Sequence, residues 1–240
     1  MSGTLSWYEF LHFSFLIFLM IYIITGARNI YNSDYRDFEV KHLHYSDIDT
    51  GDILLVGYDS YPTMFNRSLI CLKFVHSAIC VKEDGKLYIY EFNNYFNEKI
   101  GFLRLTFSEW FKYNKNSLLF FNKLNIKNDS KEKRKELASK FMSFRKQNTF
   151  ENNWNFLDYL GRYLFPNEKY EEFDKTKTHY ACFELVLHML RDSDIIGPIQ
   201  ATEQYVTDDL IGMKKFDMKE GYDYDDYHIA DVTSLKLFGD

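Results

Sequence analysis

Residues 74–92 read FVHSAICVKEDGKLYIYEF, and the parsing of that stretch decides the fold. Two apolar runs, 77–81 and 87–92, flank the polar turn Glu83-Asp84-Gly85-Lys86, a pattern that predicts a β-hairpin. His76 stands at the start of the first strand, and Glu91 lies in the second among apolar neighbours. An acid in such surroundings is costly unless it is paired. A cross-strand hydrogen bond to His76 would satisfy it, with Tyr90 and Phe92 on the opposite face.

Working upstream, SDIDTGDILLVGYD (46–59) reads as a turn around 49–52 that feeds a short strand, 53–56, ended by Gly57. Downstream, NSLLFFNKL supplies a strand over 118–124. The run 130–147 has the composition of a helix, with Leu137, Phe141 and Phe144 on one face. Its basic part, KEKRKELASKFMSFRKQ, is interrupted by glutamates and reads as the wet side of that helix. NWNFLDYLGRYLF predicts an aromatic-rich helix stopped by Pro166, and GYDYDDYHIADV an acidic surface loop leading to a last short strand.

In KTHYACFELVLHMLRDSD, Thr178 is placed to cap a helix, and Cys182, Leu185, Val186, Met189 and Leu190 recur at helical spacing. Cys182 therefore falls in a first helical turn on the inward face. A helix start and a nearby imidazolium both stabilise a thiolate, which makes a cysteine a nucleophile. His76 is the candidate base and Glu91 the candidate orienting residue, with Asn93 or Asn94 as substitutes should the strand register slip. Taken singly, a cysteine on an apolar face and a histidine entering a strand are ordinary core residues. Their combination is what points to chemistry. Tyr180 and His179, beside the thiol, are candidate substrate-binding residues.

Length and composition agree with one folded domain plus an appendage. The 240 residues are 46% hydrophobic and 19% aromatic, far from a disordered composition. A formal charge of -6 opposes nucleic-acid binding, which needs an excess of Lys and Arg. The three cysteines, Cys71, Cys80 and Cys182, make no disulfide framework. Cys71, His76 and Cys80, even with His179, lack a usual zinc-ligand spacing, and no metal or organic cofactor is expected.

The N-terminus is different. FLHFSFLIFLMIYII (10–24) is apolar save for His12 and Ser14. It is somewhat short against the roughly 20 residues of a bilayer span, and Trp7, Tyr8 and Ala27 can extend it into the interface. A single membrane anchor over 1–27 is the expectation, followed by a polar tether, 28–45, and the main domain, 46–240. Thr25 and Ala27 would also suit signal-peptide cleavage, but Glu9 and the lack of Lys or Arg before the run oppose it. Arg28, Arg36 and Lys41 place the main domain on the cytoplasmic side, and the sequons at Asn66 and Asn128 offer a check of orientation.

GDILLVG, HSAICVKEDGKLYIYEF and YACFELV, in this order, resemble the successive blocks of the circularly permuted NlpC-type papain-like cysteine hydrolases. That family has bacterial, poxviral and giant-viral members. The resemblance spans 48–212 and takes in the late segment GPIQATEQYVTDDL. It implies an α+β fold with an antiparallel sheet packed against helices, and Gly51-Asp52 as the opening turn. It also implies His76 as base, Glu91 as orienting residue and Cys182 as nucleophile. Phe183 departs from the family's common Ser, which bears on either the oxyanion site or the packing. The expected activity is cleavage of an amide or ester in a peptide, isopeptide or lipid ester substrate. The alternatives are an inactive membrane-tethered binding or virion protein of the same fold, and a lipid acyltransferase.

Overall fold

The computed structural model describes residues 7–32, 40–57, 74–93, 101–114, 117–147, 181–199, 205, 207–225 and 228–231. Its helices are α1 (Trp7–Asn32), α2 (Phe107–Asn114), α3 (Lys131–Gln147) and α4 (Cys182–Asp192). Its strands are β1 (Val40–His42), β2 (Ile53–Gly57), β3 (His76–Glu83), β4 (Lys86–Asn93) and β5 (Gly101–Thr106). They continue with β6 (Leu118–Asn122), β7 (Leu124–Ile126), β8 (Tyr222–Tyr224) and β9 (His228–Asp231).

The chain is an α+β protein whose sheet packs against helices. Seven strands run in the order β1-β9-β6-β2-β3-β4-β5. Every neighbouring pair is antiparallel except β1 with β9. The hairpin forms as its turn chemistry dictates, with Asp84 and Gly85 both at positive φ. Because strand side chains alternate, the sheet presents two apolar faces. On one, Ile53, Leu55, Ile79, Val81, Tyr90 and Phe92 pack with Leu137, Phe141 and Phe144 of α3 and Leu185, Val186 and Met189 of α4. On the other, Leu54, Val56, Ala78, Cys80 and Ile89 pack with Phe107 and Trp110 of α2. Each large aliphatic or aromatic side chain so buried contributes about 1.5–3 kcal/mol.

Several elements differ from the sequence expectation. The run 118–124 is two strands, because β7 leaves the main sheet and pairs with β8. Part of the acidic tail is therefore strand, and Tyr224 is buried in the core with its hydroxyl donating to the Gly51 carbonyl at 2.7 Å. Residues 40–42, read as tether, add β1 to the sheet edge. Strand β5 and helix α2 carried no sequence expectation. The helix expected before Pro166 lies outside the described residues, as do Cys71 and Asn66.

Helix α1 runs to Asn32, and among its described side chains ten large ones are exposed, including Phe13, Phe15, Leu16, Phe18 and Met20. Among the described residues, no helix is long and apolar enough to cross a membrane.

Candidate active site

Helix α4 fixes the thiol. Ala181 precedes it in extended conformation and has no capping oxygen, so Glu184 supplies one, its Oε2 accepting the Ala181 N–H at 2.6 Å. The expectation that Thr178 caps this helix is corrected accordingly: the helix starts at Cys182, and a buried glutamate in its own first turn closes the end. Cys182 is then the first helical residue, where backbone N–H groups point outward without intrahelical partners. Its half-buried sulfur meets the start of β3, 3.8 Å from the Val75 carbonyl oxygen.

The hairpin fixes the imidazole. Ala78 is the direct partner of Glu91, which puts His76 diagonally across from the acid on the same face. His76 Nε2 and Glu91 Oε2 are 2.8 Å apart, with the imidazole slightly exposed and the carboxylate buried. The strand approach is held as well. Asp208, in the late Asp-Leu segment, accepts the Phe74 N–H at 2.8 Å, and Val75 N–H donates to Val56 O at 3.1 Å.

Electrostatics join the two halves. Burial alone would lower the His76 imidazole, but the Glu91 charge, the Cys182 charge and hydrogen bonds to both raise it to about 10. Burial would raise the Cys182 thiol. The His76 charge opposes this, helped by the His76 and Ser77 donor groups nearby, and holds it below its ordinary value. Both directions favour a thiolate beside an imidazolium, the form in which sulfur attacks carbonyl carbon.

One residue of this site escaped the sequence. Trp110 of α2, fully buried, donates its indole N–H to Glu91 Oε2 at 2.7 Å, so the same oxygen faces both the indole and the imidazole. A buried Trp needs a partner for its N–H, and that need was the available signal; nothing local in FSEWFKYN names the partner. The Phe183 side chain is buried in the core cluster that the sheet shares with α3 and α4. Tyr180 and His179 lie outside the described residues. Among the described residues, no group of three or more His, Cys, Asp or Glu side chains is arranged to hold a metal ion.

No protein-family model matches the chain. No curated protein matches it either. Among solved structures, the metalloprotein yiiX from Escherichia coli O157:H7, described as DUF1105, is similar with a TM-score of 0.41. The identity is 12%, over 61% of this chain and 67% of that one. A likeness at that level assigns neither a family nor an activity.

Proposed function

We propose that the chain is a membrane-anchored cysteine hydrolase of the permuted papain-like, NlpC-type fold. The observation that carries this reading is the His76–Glu91 pair, 2.8 Å apart, near Cys182 at a helix start, with the imidazolium favouring the thiolate and the thiolate the imidazolium. His76 takes the Cys182 proton, and the thiolate attacks the carbonyl carbon of an amide or ester. The oxyanion that forms is met by first-turn N–H groups, that of Cys182 among them. As the tetrahedral species collapses, His76 returns its proton to the departing amine or alcohol, leaving a thioester on Cys182. Water, deprotonated by His76, then releases the acid and restores the thiol. Glu91 keeps the ring oriented and offsets its positive charge, and Trp110 holds Glu91.

The membrane part of the reading rests on α1. Ten exposed large side chains cover the described part of this helix, and an apolar surface on that scale is unfavourable in water. Its described apolar run alone falls short of a full span, so Trp7, Tyr8 and Ala27 at its ends would complete the anchoring. Flotation of the full chain with lipid vesicles, lost on removal of residues 1–32, is the expected result. A chain that stays with the soluble fraction in both forms would remove this part.

For the chemistry, we expect a covalent acyl adduct on Cys182 after incubation with an activated acyl ester, read by mass spectrometry. The adduct disappears in Cys182→Ala. An adduct spread evenly over Cys71, Cys80 and Cys182, and unchanged in rate by loss of His76, would overturn the reading.

A further inference from the structure

Ser77 has a buried hydroxyl that the fold does not use. Its oxygen is shut away from solvent and has no conventional hydrogen-bond partner among the described residues. Such a group costs about 1–3 kcal/mol relative to a satisfied one, and an alanine would fill the same place without that cost.

The position explains what the oxygen faces. Strand alternation sends His76, Ala78 and Cys80 toward α2, and Ser77 and Ile79 toward the α4 side. Cys182 begins α4, and its sulfur sits beside the Val75 carbonyl, two residues before Ser77. The β3–β4 ladder ends at Ala78 and Glu91, one residue short of Ser77. Ser77 thus stands just beyond the carbonyl that the sulfur touches, on the face that α4 covers, and it is among the groups that hold the Cys182 thiol down.

We propose that Ser77 is a thiolate-holding residue of this site: its hydroxyl, with its own backbone N–H, donates to the Cys182 sulfur once the proton has left. While the thiol is neutral, its S–H is directed at the Val75 carbonyl. Transfer of that proton to His76 turns the sulfur from donor into acceptor, and a carbonyl oxygen has nothing to offer it. The hydroxyl of Ser77 is free to rotate and supplies the missing donor. Being dry, the bond does not compete with water and is stronger for it. His76 takes the proton, and Ser77 stabilises what remains.

This inference rests on Cys182 being the reactive thiol, and one experiment separates the two. The rate of iodoacetamide alkylation at the Cys182 peptide is measured against pH in the full chain, in Ser77→Ala and in Ser77→Thr. The wild type is expected to titrate below the ordinary thiol value of about 8.5. Ser77→Ala moves the midpoint up by about one pH unit, a roughly tenfold loss of rate on the acid side, and Ser77→Thr restores it. An unmoved midpoint in Ser77→Ala, with a depressed wild type, overturns the role of Ser77 alone. An ordinary wild-type midpoint overturns both readings. Should Ser77→Ala unfold, Ser77→Thr against Ser77→Val repeats the test at constant shape, and equal midpoints in that pair also refute it.

Discussion

At one end of β3, a cysteine, a carboxylate and a cation come together as Cys182, Glu91 and His76; toward the other end Cys80 lies near Asp52, and Asp52 in turn near Arg134. Burial opposes ionisation of the thiol in both places. At Cys182 the neighbouring charge is a cation, and the thiol goes down. At Cys80 burial and the Asp52 charge act together, and the thiol goes well up. The cations differ too, since an arginine never gives up its proton at ordinary pH, whereas an imidazole does. The imidazole at one end is able to exchange its proton with a neighbour. The other end has a locked network.

That network is built as a clasp. Asp52 accepts the Asp49 N–H at 2.7 Å and the Leu124 N–H at 2.9 Å, and Arg134 donates to the Thr50 and Leu124 carbonyls, each at 2.7 Å, while pairing with Asp129. Gly51 sits at φ +95°, where a Cβ would collide with Leu124 Cδ2, so the turn requires glycine. A cleft of about 700 Å³ opens here, and its Asp49–Lys82 and Asp129–Arg134 pairs already answer each other. Burial raises Asp52 from 3.8 to about 7 in spite of those N–H bonds and Arg134. The folded chain thus holds that proton more tightly than the unfolded one. Stability from this group is fully present below about pH 4 and is lost as pH rises through about 7.

The sharpest way to break the contrast is His76→Ala. With the imidazolium gone, Cys182 keeps only burial and the Ser77 donors, and its labelling rate at pH 6.5 falls on the order of 100-fold. The wild-type rate holds from the lowered thiol value up toward pH 10, where His76 loses its proton. In the variant, the rate instead climbs with pH as an ordinary or raised thiol does. A rate-against-pH curve that is the same in both proteins contradicts the coupling.

Arg134→Ala tests the other end. It leaves the Thr50 and Leu124 carbonyls without their donor inside the core, and we expect about 3–5 kcal/mol of lost unfolding free energy by urea titration. Cys182 labelling in the folded protein stays unchanged. A variant that is stable but poorly labelled would mean the two ends are coupled.

These two residues also show what was legible in the sequence. His76 and Glu91 could be paired by strand arithmetic, because a short turn fixes register and period two fixes the face. Cys182 followed from helical spacing. Arg134 looked like its neighbours in KEKRKEL, and the wet-face reading holds for the exposed lysines while failing for this buried arginine. What captures it is a turn 84 residues away, which no local pattern encodes. Trp110 was hidden for the same reason: its partner lies across β5 and β4, and the strand that joins them, with three partly buried inner positions, has no clean alternation.

Trp110→Phe sharpens the comparison at the chemical end alone. It removes one donor from the buried Glu91 carboxylate and leaves a smaller aromatic ring in the same place, with an expected cost of about 1–3 kcal/mol in stability. Labelling of Cys182 drops several-fold because Glu91 is less firmly held against His76. Full labelling with reduced stability would make the indole a packing residue only.

Cys80→Ala is the smallest change expected and the cleanest control on the whole contrast. Cys80 is fully buried on the α2 face of the sheet, its thiol raised by burial and by Asp52, with no cation close enough to reverse that. A thiol so placed is a small apolar side chain, and its loss costs on the order of 1 kcal/mol. Its alkylation in the native protein waits on local opening, so it is slow at every pH below 9 and follows unfolding rather than titration. Labelling of Cys182 is the same, within twofold, in wild type and Cys80→Ala. If Cys80 were alkylated in the folded chain as fast as Cys182, the sign of the nearest charge would not be what separates the two thiols.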